Sequence, residues 1–439
     1  MRTRTAGVGL VSLVFLMTAC GSDDGDDGST NDGGGQAEPT APATESVRVG
    51  ALYPLTGSAA ATGEAVLHGV ELAAEVVNGE YPDIDLPLAA EAGLPGLDGA
   101  TVEIVSADHE GNPERGASET ERLITGEEVV AIVGAYFSAV TETASERAER
   151  LGVPFVNGSS SATSLTEDRD LQYFFRTGPS DLTFGETFFE FLADVAEQTG
   201  QPIDAIKILY ENTDYGTGAA EITQQLASDQ GYEVVDSIAH GNDVNDVTPE
   251  ATRICSSNED APVFQASYTP EAILFTQAFK NLGCTPTILA YGAGYSDVSY
   301  FDAVGADGEY VISRAAWGLD AVADNPTAVA IAEMFEETYG IPMDENSART
   351  FTAAHTLFVA LNEAGSTEPD AIRDALAAID MPAEDTIMPW DGIRFADSGQ
   401  NELAQGIILQ HLDGEYRVVW PFENATADLV WPPVPYGDR

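Results

Sequence analysis

The chain is 439 residues long, and 73 acidic against 18 basic residues give it a net charge of −55. Such a surface repels nucleic acid and anionic membrane, and it escapes its own repulsion only at molar salt, where the screening length falls to about 3 Å; a halophile-like acidic surface in a salt-rich setting is the expectation. Apolar content of 44% is ordinary for a globular protein.

The first residues form a targeting pattern. Arg2 and Arg4 precede an apolar run from Ala6 to Met17, too short to span a bilayer, which ends in Leu16-Met17-Thr18-Ala19-Cys20. Small residues before a Cys after such a run resemble a bacterial lipobox, which implies a signal peptide over 1–19, lipidation of Cys20 and anchoring at the outer face of the cytoplasmic membrane. Residues 20–46 hold Gly, Ser, Asp, Thr and Pro with no large apolar side chain, the composition of a flexible acidic tether. The chain from Val47 to Arg439 exceeds one comfortable core, so two domains are expected.

From Val47 on, short apolar runs alternate with segments of helical period. Arg48 to Tyr53 is predicted as a strand, followed by a helix that carries Val66, Val70, Ala73 and Val77 on one face. Asn78 to Gly99, rich in Pro and Gly, is expected to be a surface excursion. Strands are predicted at Thr101–Ala107, Val129–Val133, Pro154–Asn157 and Tyr173–Thr177, with a helix opened by Asn112-Pro113-Glu114 between the first two. Asp181 onward repeats the alternation: helix 183–199, strand Ala205–Tyr210, helix 216–230, strand Val234–Ile238, helix 247–256, then strands Val263–Ala266 and Thr287–Tyr291 around a further helix. Late helices (326–339, 348–364, 369–378) have no strands of their own. Gly392–Phe395, Ile407–His411 and Tyr416–Val419 are short closing strands. Repeated strand–helix alternation means α/β structure with parallel, doubly wound sheets, here in two successive lobes.

Two strand ends carry the chemistry. The strand at Val129–Val133 runs into Ser138, and the one at Pro154–Asn157 opens into Gly158-Ser159-Ser160-Ser161. Small ligands bind outside the carboxyl ends of strands in such sheets, and a helix starting at Ser138 adds a dipole end that favours an anion. Once Cys20 is assigned to lipid, Cys255 and Cys284 remain as an even pair in an exported chain. They are expected to form one disulfide, the alternative being two unpaired buried thiols.

An enzyme is not expected. The five His residues (His68, His109, His240, His355, His411) are scattered without metal-ligand spacing, no nucleophile elbow surrounds Ser138, and no GxGxxG follows the first strand. No metal and no cofactor is implied.

The segments VGALYPLTGSAAATGEAVLHGVELAAEVVNG, VGAYFSAVT, PFVNGSSSATSLT, YFFRTGPSD, DYGTG and GIRFADSGQ, in this order and spacing, resemble the type 1 periplasmic binding proteins that serve branched-chain amino acid and amide ABC importers. The resemblance implies two lobes joined by a three-strand hinge crossed near residues 178, 314 and 396. The first lobe would hold 47–178 with 315–395, and the second 179–314 with 396–439. It implies capture of a small polar solute (amino acid, amide or carboxylate) by hinge closure, delivery to ABC permease subunits, and no covalent chemistry. A receptor-type sensor is the other role such a module takes. Matched onto this sequence, the family's contacts to the ligand carboxylate and ammonium fall on Ser138, Ser159 and Ser161. Tyr215 caps the ligand from the second lobe, Tyr268 begins a similar turn, and Tyr136, Phe137 and Thr62 are the candidates to line the side-chain pocket, with the core as the equal alternative for Phe137. Leucine-type members place a Glu against the ammonium, and Ala293 stands at that position here. Asp297 substitutes only if the turn is reshaped, and Tyr295 is available to fill the space. A buried ammonium without a counter-charge costs several kcal/mol, which favours amides, urea-like solutes or carboxylates over a zwitterion.

Overall fold

The computed structural model describes residues 46–439 apart from 168, 243, 258 and 259. The expected signal peptide, Cys20 and the expected tether up to residue 45 lie outside the described residues.

The first sheet takes β1 (Val47–Tyr53), β2 (Val102–Asp108), β3 (Ala131–Gly134), β4 (Phe155–Asn157) and β5 (Phe174–Arg176) in the order β2-β1-β3-β4-β5, all parallel. Parallel pairing requires crossover helices, supplied by α1 (Ala60–Asn78), α2 (Pro113–Thr125) and α3 (Ser138–Leu151). The buried face of α1 holds Val66, Val70, Ala73 and Val77. It meets α10 (Glu345–Ala364), which joins this lobe with α9 (Pro326–Tyr339) and α11 (Pro369–Ala378). The approach is close at Gly69, where a Cβ would stand 2.4 Å from Ser347 O. Nearly every residue of α10 is buried, as a helix packed on several sides requires.

The second sheet takes β6 (Ala205–Glu211), β7 (Glu233–His240), β8 (Val263–Ala266), β9 (Ile288–Ala290) and β10 (Ile312–Ala315) with β13 (Ile407–Leu412) and β14 (Glu415–Trp420), in the order β14-β13-β10-β9-β8-β6-β7. It is parallel through β10, and β13 and β14 add antiparallel strands at one edge. Its helices are α4 (Asp181–Thr199), α5 (Asp214–Gln230), α6 (Thr248–Ser256), α7 (Thr269–Leu282) and α8 (Val298–Val304). Cys255 and Cys284 are joined as a disulfide, with their Cα atoms 5.9 Å apart. A two-stranded ribbon pairs β11 (Asp380–Pro382) with β12 (Gly392–Arg394). The two lobes communicate through β5 into α4, through β10 into the segment before α9, and through β12 into β13. Two of these passages lie side by side: Arg176 N donates to Gly399 O at 2.7 Å, and Asn401 N to Arg176 O at 2.9 Å.

The structure adds β10 and α8, which were not anticipated, and refines three further elements. Residues 78–99 run over the surface as expected but are firmly anchored to it. Leu86, Ala89 and Leu94 are buried, His355 Nε2 on α10 lies 2.8 Å from Pro87 O, and Gly96 N donates to Asn362 Oδ1; apolar side chains inside a Pro/Gly-rich stretch anchor it. The strand at Asp380–Pro382 was hidden by its proline, which sits at a strand end where no ladder donor is required. Helix α10 begins at Glu345 rather than 348 because Asp344 and Ser347 form a reciprocal capping box.

Candidate functional site

The two loops that carry Ser138 and Gly158–Ser161 leave adjacent strands of one sheet, since β3 pairs with β4 through Ile132↔Phe155 and Val133↔Val156. They are bonded to each other. Ser160 Oγ lies 2.6 Å from Thr141 Oγ1 and donates to Ala135 O at 2.7 Å, while Asn157 Nδ2 donates to Gly134 O at 2.7 Å and Ala135 O at 3.0 Å. Ser160 therefore spends its hydroxyl on tying the loops together. Ser138, Ser159 and Ser161, all buried, line the cleft beside it. Ser138 is the first residue of α3, where helix N–H groups and the dipole favour negative charge. Its Oγ accepts only a long 3.4 Å bond, from Ala162 N.

The opposite wall comes from strand ends of the second sheet. Tyr215 opens α5 after β6, Tyr268 caps α7 after β8, and Ala293 lies in the turn after β9. Tyr215 Oη donates to Tyr291 O at 2.9 Å, so that phenol is spent within its own lobe. Tyr268 meets Tyr215, Tyr136 and Phe137 with ring centroids 5.1, 5.8 and 4.7 Å away. Tyr136 from the first lobe lines the cleft, and its hydroxyl is buried without a partner. Phe137 packs behind, edge-on to Tyr136 and Tyr268, and is not part of the lining. Burial raises the phenol pKa of Tyr136, Tyr215 and Tyr268 well above the ordinary value, so all three remain neutral donors.

The lobes are shut on each other. Asp297, before α8, accepts from Thr62 Oγ1 at 2.7 Å and Asn346 Nδ2 at 3.0 Å in the first lobe, and from Thr269 Oγ1 in its own. Thr62 is thus part of a cross-lobe bond and not of a pocket wall. Tyr295 packs on Tyr300 in the second lobe's core and does not fill the cleft. Burial raises the Asp297 pKa against the effect of its three donors. The space left open between the walls is too small for a solute of amino-acid size.

Local sequence did not single out three further lining residues: Arg314 on β10, and Asn346 and Arg349 on α10. Both arginines are 2% exposed. Each stood in plain sight as a lone cation in a run of small or apolar neighbours, Ile312-Ser313-Arg314-Ala315-Ala316 and Asn346-Ser347-Ala348-Arg349. A charge placed where the fold buries it is the signal that such a pattern carries. Glu345 Oε1 takes Arg314 Nη1 at 3.1 Å, Ala316 N at 3.1 Å and Arg349 Nη1 at 3.4 Å. Burial lowers Arg349 to about 10, which leaves it charged at neutral pH. Asp181 at the start of α4 is buried with no well-formed hydrogen bond to either oxygen. Burial raises its pKa, with Arg314 opposing most and Ser161, Arg176 and Arg349 also opposing.

Residues 46–413 match the family described as periplasmic binding protein. A Leu/Ile/Val-binding protein homolog from Brucella abortus is 32% identical over 391 residues, covering 87% of this chain and 92% of that one. A leucine-binding protein from Thermotoga maritima superposes with a TM-score of 0.71 at 21% identity, over 85% of this chain and 97% of that one. A solute-binding protein of an ABC transporter from R. palustris, in complex with benzoate, gives 0.71 at 18%, over 85% and 95%. At these identities the two structures speak to the fold.

Proposed function

We propose that this chain, which belongs to the periplasmic binding protein family, is the lipid-anchored substrate-binding component of an ABC importer and does no covalent chemistry. It captures one small polar solute, a branched-chain or related amino acid, an amide or a carboxylate, when its lobes swing together about a hinge crossed near residues 178, 314 and 396. Cys20 anchors it to the outer face of the cytoplasmic membrane, and the closed form docks on permease subunits. The observation that carries this reading is the cleft: hydroxyls at strand ends of one lobe face aromatic rings at strand ends of the other. Ser138, Ser159, Ser161 and Tyr136 then contact the solute from the first lobe, Tyr215 and Tyr268 contact it from the second, and Phe137 backs the aromatic wall. Contact with both lobes favours the shut form, because a ligand shifts an equilibrium only by its differential affinity for the two states. The related proteins' ligands, leucine in one name and benzoate in another, bracket the chemistry. A thermal-shift screen of amino acids, short amides, urea and aromatic acids, followed by calorimetry, tests the reading. Saturable binding of one class is expected, and a screen without any stabilising solute contradicts it.

A further inference from the structure

The cleft lining contains two guanidinium groups and, among the described residues, no carboxylate. Arg314 reaches it from the second lobe and Arg349 from the first, and they share a single carboxylate oxygen, Glu345 Oε1. Arg314 Nε and Arg349 Nε and Nη2 are buried with no acceptor. Buried donors without an acceptor are costly, and native structures rarely leave them so without a purpose. Space for both planes is built in. A Cβ at Gly178 would stand 2.8 Å from Arg349 Nη2, and one at Gly292 would stand 2.6 Å from Arg314 Nη1. The Arg314 guanidinium lies over the Phe184 ring, 3.5 Å from its centroid, which holds its plane.

The other buried charged groups nearby do not occupy these donors. Arg176 is spent on Ala162 O, Thr166 Oγ1 and Gln400 Oε1. Asp181 takes none of the free donors and is not part of the lining. Asp297 is held by Thr62, Thr269 and Asn346, and Asp344 caps α10 through Ser347. A ligand carboxylate supplies the missing acceptor, and the lining holds no carboxylate to meet an ammonium group. The planar fork of arginine matches a carboxylate, and Tyr136, Tyr215, Tyr268 and Ala293 offer the rest of the ligand an uncharged, largely flat surface.

We propose that Arg314 and Arg349 form a carboxylate clamp that closes as the lobes meet, so that the solute is a monocarboxylate with an uncharged body and no ammonium group. This rests on the reading of the cleft as a solute site. The test is a thermal-shift and calorimetry panel on the full chain in which benzoate, 4-methylpentanoate and 3-phenylpropanoate are each matched by the primary amide, and the last two also by leucine and phenylalanine. Binding is expected among the acids, each at least about tenfold tighter than its amide or α-amino counterpart, the range of a charge-assisted hydrogen bond. In Arg349→Gln and Arg314→Gln that preference should shrink toward one. The comparison within the unaltered protein stands even where a variant fails to fold. Hits confined to amides or amino acids, or an acid preference that survives folded variants at both positions, overturn the clamp and leave the solute-binding reading intact. A panel without any hit overturns both.

Discussion

Two polar clusters join the lobes, and they are built on opposite principles. At Asp297 every donor is used: two hydroxyls and one amide, from both lobes, converge on one carboxylate. At Arg314 and Arg349, two cations crowd one oxygen of Glu345 while three guanidinium nitrogens, and Glu345 Oε2 itself, go without partners. A satisfied buried network stabilises the arrangement in which it forms, whereas an unsatisfied one costs free energy until something satisfies it. The Asp297 cluster is therefore a latch of the shut form, and the arginine pair is where binding energy remains to be gained.

The sharpest way to break this comparison is to remove both centres. Asp297→Ala strands three buried donors and should cost about 3–5 kcal/mol in denaturant unfolding. Arg349→Met, which removes unpaired donors and keeps the bulk, should change stability by less than about 1 kcal/mol in either direction. Equal losses in the two variants would erase the distinction between latch and clamp.

The latch also has a pH signature. Burial, together with the nearby Asp297, pushes the Asp344 carboxyl up to about 7, and Asp297 is raised as well. The folded state thus holds these protons more tightly than the unfolded chain, and stability falls as pH rises from about 4 to about 7. Thermal melts over that range at constant high salt should show the decline. Asp344→Asn, which keeps an N-cap residue, should flatten it.

On the binding side, Ser138→Ala should weaken solute affinity by about 1–3 kcal/mol in calorimetry, the cost of an unmet buried polar group. Ser160→Ala should act on folding instead, since that hydroxyl is bonded to the loops and not free for a ligand. The smallest effect belongs to Tyr215→Phe. Its hydroxyl is committed to Tyr291 O, so about 0.5–1.5 kcal/mol of stability should be lost, with affinity nearly unchanged because the ring remains.

How much of this was legible along the chain depends on how far each interaction reaches. The alternation that defines both sheets is local, and so is the strand-turn-helix pattern of Val129–Ser138. Gly158–Ser161 comes within about one crossover, so their convergence on one sheet edge could be anticipated from topology alone. Asp297 was considered as a ligand group, on condition of a reshaped turn, because it lies close in sequence to Ala293, where leucine-type members carry a Glu. Its actual partners Thr62 and Asn346 are 235 and 49 residues away. Arg314 and Arg349 become a pair only when β10 and α10, on different lobes, meet. Helical and strand periodicity say nothing about which lone cation in an apolar run faces a cleft. The anchoring of residues 78–99 was hidden for a related reason, since turn-rich composition conceals single buried leucines.

The most direct measurement is small-angle scattering of the full chain as a solute that calorimetry shows to bind is titrated in. Hinge closure predicts a radius of gyration that falls with occupancy and saturates at the calorimetric stoichiometry. A radius that stays constant while the site fills would contradict capture between two moving lobes.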